Sequence, residues 1–432
     1  MAQYRSDQKI FRSQDTTNFE VVMLQDRLTP AGTLTDAFGR LRVSNPYTIF
    51  DSKHRYAEND KWSNSITGTA SANFLTNESS VRLDVGDQIN DEIIRESKRV
   101  FTYQPGKSLL IMNTFVMNTL TTGLRQRVGY FGSQNGIYFE ADGTTLYLVL
   151  RSYVSGSVVN TRVAQSDWNG DKFDGTGYSS TNEENNHGSG IDVTKSNIFW
   201  IDIEWLGVGD VRCGFVVDGR MVIAHTFHND NVNTGAYMTT ATLPIRYEIK
   251  VTSTINDSST HSLKQICSTV ASEGGYEKIT KQFFARRTSA LTNIGTTFLP
   301  LISMRLKSTR LDSVVIPSVL NALGIAATGT SEFEFALILN GTLGGTPSWS
   351  SNSESIEIDT AATSISGGTI INSFFGTSTN QAESAIQQTQ AYNLDTQLGR
   401  TIAGVSDIYT LCARTLSGTN SAIGNIGYYE LN

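Results

Sequence analysis

Apolar and polar residues alternate most regularly in the segment that runs from residue 198 to residue 228. Within it, one set of alternate positions is apolar and the set between them is largely polar: Phe199, Ile201, Ile203 and Trp205 against Trp200, Asp202 and Glu204. A period of two residues is typical of a β-strand that buries one face. We therefore predict a strand that starts here, with its apolar set facing a core.

A tight hairpin is predicted immediately after this strand. Asp218 and Gly219 separate the apolar runs 211–217 and 220–227, and an Asp-Gly pair favours a type I′ turn because both turn residues accept a positive φ. The turn sets the expected register, in which three pairs lie opposite each other: Phe215 and Val222, Cys213 and Ala224, and Val216 and Met221. Three adjacent antiparallel strands indicate the central part of a sandwich sheet.

Short apolar runs separated by turn residues continue along most of the chain, from 79 to 163, from 243 to 270 and from 298 to 431. One of them, Arg95 to Tyr103, is predicted as a single strand, and Asp142-Gly143 as a second type I′ hairpin. Only residues 380 to 398 have a pattern that allows a helix. The spacing predicts an all-β protein of two antiparallel sandwiches, each of the jelly-roll or concanavalin-like kind.

The chain divides into three parts by composition. Residues 1–32 are polar except for a small apolar patch at Val21, Val22 and Leu24, and we expect an extended arm that orders against a partner. Residues 33–275 are predicted to form the first sandwich domain, which ends near the pair Gly274-Gly275. Residues 276–432 are predicted to form the second.

Charge and composition argue against two classes of function, nucleic-acid binding and membrane insertion. The formal net charge is −7 without a stripe of Lys and Arg, so nucleic acid is not an expected partner. No apolar run reaches the length of a membrane span and the first residues lack a signal-peptide core, so we expect no membrane insertion and folding in a reducing compartment such as the bacterial cytoplasm. The three cysteines Cys213, Cys267 and Cys412 are expected to be small buried thiols.

Two short motifs suggest ligand binding, but for both of them a turn that binds no ligand is favoured. Gln104 to Ser108 ends in the Gly-Lys-Ser of a phosphate-binding loop, but Phe101 replaces the required glycine and a strand is predicted to follow, so a turn is expected. Oxygen-bearing side chains recur in a segment that lacks the glycine and glutamate of a calcium loop: Asp167, Asn169, Asp171 and Asp174. A solvated turn is favoured there over calcium, and no cofactor is expected.

The polar face of the first predicted strand resembles the E-x-D-x-E signature of sandwich-fold glucanases. Retaining glycoside hydrolysis needs two carboxyl groups, a nucleophile and an acid/base, and Trp200 stands where the first carboxylate belongs. We therefore predict that the protein is not an enzyme. Glycan binding without cleavage stays open, through an exposed face or through the polar loop 165–197, with four candidate residues: Trp168, Trp200, Asp202 and Glu204. The alternative is that this face packs under another strand or subunit.

Several specific strings resemble a family of virion structural proteins of tailed bacteriophages, many of them from marine and cyanobacterial phages. The strings lie between residues 33 and 275: Asp36–Ser44 with Pro46, Phe50 and Asp51; Tyr103–Ser108; Arg127–Phe131; Gln165–Trp168; Glu204–Gly209; and Leu243–Glu248. The resemblance implies a component of the virion. We predict a tail-associated surface protein that forms homo-oligomers and contacts other phage proteins through its arm. A capsid decoration protein and a glycan-binding module of a tail fibre are the alternatives.

Overall fold

The computed structural model describes residues 45–176, 190–255, 259–277, 280–326, 329–379, 384–389 and 394–431, with the backbone alone for 384–389. Tyr47–Asn432 form one compact unit. The predicted arm, the string 36–44 and part of the loop 165–197 lie outside the described residues.

Antiparallel strands dominate the described chain, which confirms the predicted all-β sandwich fold. The strands before residue 273 are β1 Tyr47–Lys53, β2 Trp62–Thr67, β3 Ser71–Leu75, β4 Ser80–Val85, β5 Glu92–Ser97, β6 Leu109–Val116, β7 Leu124–Phe131, β8 Gly136–Asp142, β9 Thr145–Ser152, β10 Val159–Ala164, β11 Asn197–Ile203, β12 Val211–Val217, β13 Arg220–Phe227, β14 Ile245–Val251 and β15 His261–Ser272. A 3₁₀ turn spans Gln165–Asp167.

These strands form two facing sheets. One has the order β13-β12-β11-β6-β15-β4-β3, with β1 also paired to β15, and the other has the order β10-β9-β8-β7-β14-β5-β2. Their inner faces enclose a core in which Phe139, Phe199 and Phe215 are packed against one another, with ring centroids 5.1–5.8 Å apart. The predicted inward face is confirmed for Phe199, Ile201 and Ile203, which are fully buried in this core, while Trp205 is only partly buried. The opposite face is not exposed as predicted, because Trp200 and Asp202 are buried as well.

The remaining strands form a second pair of sheets and a small ribbon. They are β16 Gln282–Arg286, β17 Leu291–Ile294, β18 Leu299–Leu306, β19 Val314–Ile325, β20 Thr330–Leu339, β21 Thr342–Gly344, β22 Ser350–Ser351, β23 Ile356–Asp359, β24 Ser364–Ser366, β25 Thr369–Thr379, β26 Ser384–Thr389, β27 Ile408–Thr415 and β28 Asn420–Leu431, with a 3₁₀ turn at Leu394–Thr396. One sheet has the order β16-β28-β19-β26 with β17 paired to β28, the other has the order β22-β23-β18-β27-β20-β25, and β21 pairs with β24.

Strand β19 contributes to the cores of both sandwiches. Val314 and Ile316 belong to the core of the first pair of sheets, whereas Val315 between them belongs to the core of the second pair. Leu431, in the last strand, also packs in the first core. The division of the chain into domains at residue 275 stays a prediction.

The hairpin at Asp218-Gly219 is a confirmed type I′ turn, since both residues have positive φ, at 51° and 72°. The predicted pairs of Phe215 with Val222 and of Val216 with Met221 are present, but Cys213 lies opposite His225 because a bulge intervenes. The carbonyl of Ala224 accepts a hydrogen bond from the Gly170 amide at 2.9 Å, so a distant loop binds the bulged residue.

Three other predictions of local structure are wrong. Residues 384–389 of the predicted helix form strand β26, because they pair with β19. The predicted strand Arg95–Tyr103 ends at Ser97. The hairpin after β8 turns at Gly143 and Thr144, one residue later than predicted, with a positive φ at Gly143 only.

Cys213 and Cys412 are buried as predicted, but Cys267 is exposed. Within the described ranges, no helix is long and apolar enough to span a membrane.

Candidate functional site

A cleft of about 490 Å³ opens where β11 ends and β12 begins. Two segments that are about a hundred residues apart in sequence meet there, the turn before β6 and the turn after β11. The lining residues are Tyr103, Gly106, Lys107, Ser108, Asp202, Glu204, Leu206, Asp210 and Arg212. Carboxylates, cations and hydroxyls therefore surround one opening.

The first wall is the turn that contains the Gly-Lys-Ser motif. Gly106 adopts φ 82°, and the Lys107 amide donates a hydrogen bond to the Gln104 carbonyl at 3.1 Å. Strand β6 begins at Leu109, so no helix N-terminus follows the motif, and the prediction of a turn is confirmed.

The second wall is the turn from Glu204 to Asp210. Leu206 and Gly207 both have positive φ, at 38° and 84°, and the Glu204 amide donates to the Asp210 carbonyl at 3.2 Å. This conformation leaves Glu204 exposed and Leu206 about half exposed, so a carboxylate and an apolar side chain stand at the rim.

Asp202 is the buried acid of the cleft. Its residue is 7% exposed, and its carboxylate Oδ2 accepts a hydrogen bond from Arg212, which lies directly opposite on β12. Its other oxygen, Oδ1, has no hydrogen-bond partner. Burial raises the pKa of Asp202, Arg212 opposes the rise, and Glu273 and Glu204 add to it.

Glu273 is a carboxylate that the sequence reasoning missed. It follows β15, accepts a hydrogen bond from the Ser108 hydroxyl at 2.6 Å, and lies close enough to raise the pKa of Asp202. Its position beside Asp202 arises from the pairing of β15 with β6, where Ser272 lies opposite Leu109. No local pattern around residue 273 indicates this neighbour.

Two more polar groups beside the cleft are buried without a hydrogen-bond partner, the Trp205 indole Nε1 and the Tyr237 hydroxyl. The Tyr103 ring packs edge-on against Trp205 at 5.7 Å, and the Tyr237 amide donates to the Gly207 carbonyl at 3.0 Å, so both groups lie against the second wall. Burial raises the pKa of Tyr103, so its hydroxyl stays protonated at neutral pH. A ligand rich in hydroxyl groups can satisfy such a mixture of donors and acceptors.

The two predicted tryptophans are buried and offer no ring face to a ligand. Trp200 is 3% exposed, and its Nε1 donates to the Phe215 carbonyl at 3.2 Å. Trp168 is 2% exposed in the first core, and its Nε1 donates to the Val163 carbonyl at 3.1 Å. The expectation that Trp200 shares an exposed face with Asp202 and Glu204 is therefore corrected, because Trp200 is buried and its ring packs against Gly214, which lies opposite it on the next strand.

The four calcium candidates do not converge on one point. Asn169 exchanges hydrogen bonds with the backbone of Thr226, Asp171 accepts from the Phe173 amide at 2.8 Å, and Asp174 accepts from the Thr176 amide at 3.0 Å. Asp167 is exposed. Three of the four side chains thus bind backbone groups, those of Asp171 and Asp174 two residues along the chain, and the arrangement is that of a folded turn.

A different group of potential metal ligands lies near the rim of the cleft. Asp210, His228 and Asp230 place one ligand atom each within 4.8 Å of one another. Asp210 accepts hydrogen bonds from the His228 ring at 2.8 Å and from the Asn229 amide at 2.9 Å. These bonds account for the cluster as part of the turn after β13, and a carboxylate and imidazole set is also one that divalent transition metals accept.

A larger cleft of about 760 Å³ is lined by residues of both sandwiches. Its charges are already paired: Arg400 contacts Glu96 and Asp312, both at 2.9 Å, and Arg310 contacts Glu354. Its lining contains no buried carboxylate oxygen without a hydrogen-bond partner, whereas the smaller cleft has Asp202 Oδ1, so we treat the Asp202 cleft as the candidate site.

No family model and no curated protein matches this chain. Several solved structures are similar over about half of it. An endo-β-1,4-glucuronan lyase from the fungus Trichoderma reesei is 9% identical with a TM-score of 0.34, over 52% of this chain and 95% of that chain. A GH16 protein from Bacteroides ovatus, in complex with a G4G4G3G product, is 9% identical with a TM-score of 0.34, over 51% of this chain and 99% of that chain.

A third similar structure is a carbohydrate esterase from the Shiga toxin-encoding bacteriophage phi24B. It is 10% identical with a TM-score of 0.29, over 53% of this chain and 100% of that chain. At these identities the likeness concerns the fold alone. The prediction that the protein is not an enzyme is corrected to this extent: proteins described as a lyase, a glycoside hydrolase family protein and an esterase are similar in fold, so the fold gives no ground for excluding an enzyme.

Proposed function

We propose that the protein is a surface component of a bacteriophage particle that binds a glycan in the Asp202 cleft. The observation that carries the proposal is an atom of the cleft lining that is buried without a hydrogen-bond partner, Asp202 Oδ1. Trp205 Nε1 and Tyr237 Oη also lack partners, but these residues lie beside the cleft and do not line it. A buried polar group without a partner costs roughly 1–3 kcal/mol, and sugar hydroxyls both donate and accept. A saccharide that enters the cleft gains by satisfying such groups.

The positions of the resembling strings support the phage part of the proposal. Tyr103–Ser108 and Glu204–Gly209 are two of the strings that resemble the virion protein family, and they supply six of the nine lining residues of the cleft. The strings Arg127–Phe131 and Leu243–Glu248 instead pair with each other inside the first sandwich through β7 and β14. One pair of strings thus builds the sheet and the other builds the site.

The test is a glycan array probed with the whole protein, followed by calorimetry on the best ligand. We expect Asp202→Asn and Glu204→Gln to weaken binding at least tenfold. The matched control is Asp167→Asn, which removes an exposed carboxylate away from the cleft and should bind as the unchanged protein does. A blank array, or binding that both cleft variants retain, would refute the glycan site.

The place on the particle is tested separately. A tail protein is present in a few symmetric copies per virion and a capsid decoration protein in many, so quantitative gels of purified particles distinguish the two. We propose the tail, with attachment through residues 1–32. Deletion of these residues should leave a folded protein that is missing from particles, and normal incorporation of the truncated chain would contradict the role of the arm.

A further inference from the structure

Strand β25 forms one edge of the six-stranded sheet of the second sandwich. It spans Thr369–Thr379 and pairs along its whole length with β20, and among the described strands no other pairs with it. Eleven residues of strand extend over roughly 37 Å. An edge strand exposes backbone N–H and C=O groups that are available to another strand.

The sequence of β25 lacks the usual protection of an edge. Thr369–Thr379 reads TIINSFFGTST, without a charged residue or a proline, and Ile370 and Phe375 are 50% and 64% exposed. Soluble proteins commonly shield edge strands with charges, prolines or short length. Four other edges of the described sheets carry such features, since β22 has two residues, β13 has Arg220, β10 has Arg162 and β16 has Arg286. The edges β2, β3 and β26 are also uncharged, but they are 6, 5 and 6 residues long against the 11 residues of β25.

The neighbouring strand β20 places two acidic residues beside β25, Glu332 and Glu334. Phe375 lies opposite Glu334 on β20, whose carboxylate is paired with Arg414 and accepts a hydrogen bond from the Ser373 hydroxyl at 2.8 Å. Glu334 is therefore neutralised within its own sheet, whereas Glu332, which lies opposite Thr377, is exposed. Strand β25 itself offers no counter-charge to a charged partner strand, so an uncharged strand fits this edge better.

We propose that β25 pairs antiparallel with β25 of a second copy of this chain around a two-fold axis. An interface of this type needs a surface that is complementary to itself, and an uncharged strand with exposed apolar side chains meets that condition. The pairing joins two six-stranded sheets into one continuous sheet and covers Ile370 and Phe375. This inference is independent of the glycan site.

The test is the solution mass of the full chain by analytical ultracentrifugation. The unchanged protein should sediment as a dimer or a multiple of it, against a monomer mass of 47.3 kDa. The double variant Ile370→Lys with Phe375→Lys should have half that mass. The control is Val159→Lys, which places the same charge on the exposed edge strand β10, where Val159 is 50% exposed, and it should leave the mass unchanged.

Two results would overturn the proposal: a monomeric unchanged protein at tens of micromolar, or a double variant that keeps the unchanged mass. Thermal unfolding of the double variant verifies that it is folded. Should it not fold, hydrogen exchange of the unchanged protein decides the question. Amides of 369–379 should exchange more slowly in concentrated than in dilute samples, and equal exchange at both concentrations would also refute the interface.

Discussion

Arg212 lies directly opposite Asp202 on the neighbouring strand, and its guanidinium donates a hydrogen bond to only one oxygen of the Asp202 carboxylate. The pair therefore holds the acid in place without satisfying it. The second oxygen, Oδ1, is buried without a hydrogen-bond partner, in a residue that lines the cleft. This half-satisfied carboxylate gives the site a physical reason to bind a hydroxyl donor.

Asp202 should make the stability of the protein depend on pH. Because burial raises its pKa in the folded state above the ordinary value of 3.8, the folded state holds a proton that the unfolded state has already lost. The free energy of unfolding should therefore decrease as pH rises from about 4 through the native pKa. The Asp202→Asn variant should not show this decrease, which urea unfolding at a series of pH values measures against the unchanged protein.

Gly214 should not tolerate a larger side chain. A Cβ at this position would lie 1.9 Å from the Val222 carbonyl oxygen and 2.8 Å from Cζ2 of Trp200. We expect Gly214→Ala to destabilise the protein by roughly 1–3 kcal/mol, because the bulge and the indole have to move. Gly235→Ala is the control, since a Cβ there meets nothing within 4 Å, and it should change stability by less than about 0.5 kcal/mol.

Glu248 should be the most costly carboxylate to remove on the outer face of the seven-stranded sheet. It is 3% exposed and contacts Arg125 at 2.9 Å and Arg127 at 3.1 Å. Glu248→Gln removes one carboxylate from a cluster in which Arg127 keeps Glu140 and Arg246 keeps Glu96, so we expect a loss of roughly 1–3 kcal/mol at neutral pH. Glu92→Gln is the control, because Glu92 pairs with Lys250 at a partly exposed site, and it should cost at most about 1 kcal/mol.

The pH dependence of the Glu248 variant has a defined sign. Burial opposes ionisation of Glu248, but Arg127, Arg125 and Arg246 outweigh it and hold its pKa below the ordinary value of 4.5. The stabilisation is therefore present above pH 4.5 and is lost as pH falls through the native pKa. The difference in stability between Glu248→Gln and the unchanged protein should shrink in acid, and a constant difference would contradict this account.

Adjacent residues of β19 should affect different halves of the protein. Ile316 and Val315 are both fully buried, Ile316 in the first core and Val315 in the second. We expect Ile316→Ala to cost about 2–5 kcal/mol. It should speed amide exchange mainly in the first sandwich, whereas Val315→Ala should do so mainly in the second. Identical exchange patterns for the two variants would show that the cores are not separately supported by this strand.

Local chemistry in the sequence was enough to predict the parts of the fold that depend on neighbours in the chain. The turn at Asp218-Gly219 and the inward face of Phe199, Ile201 and Ile203 follow from residue types within a few positions. The helix predicted at 380–398 failed because pairing with β19 overrides local preference. The predicted pairing of Cys213 with Ala224 was wrong because Ala224 is bulged and its carbonyl accepts a hydrogen bond from Gly170, which is far away in sequence.

The candidate site could be predicted only in part, for the same reason. Asp202 and Glu204 could be predicted, because they occupy polar positions that alternate with apolar ones along one segment. Tyr103 and Lys107 reach the site through the pairing of Leu109 with Ile203, 94 residues apart, and Glu273 through the pairing of Leu109 with Ser272, 163 residues apart. No period in the sequence indicates such pairings. The burial of Trp200 depends on a glycine of the next strand, so the face that looked available for a sugar ring is closed.

Val314, Ile316 and Leu431 complete the hydrophobic interior of the first sandwich, so neither sandwich can be removed or exchanged without affecting the other. A fragment cut near residue 277 would expose that interior to water and should aggregate. A chimera in which a foreign domain replaces the second sandwich would have to retain β19 and the end of β28, because their residues also pack in the first core.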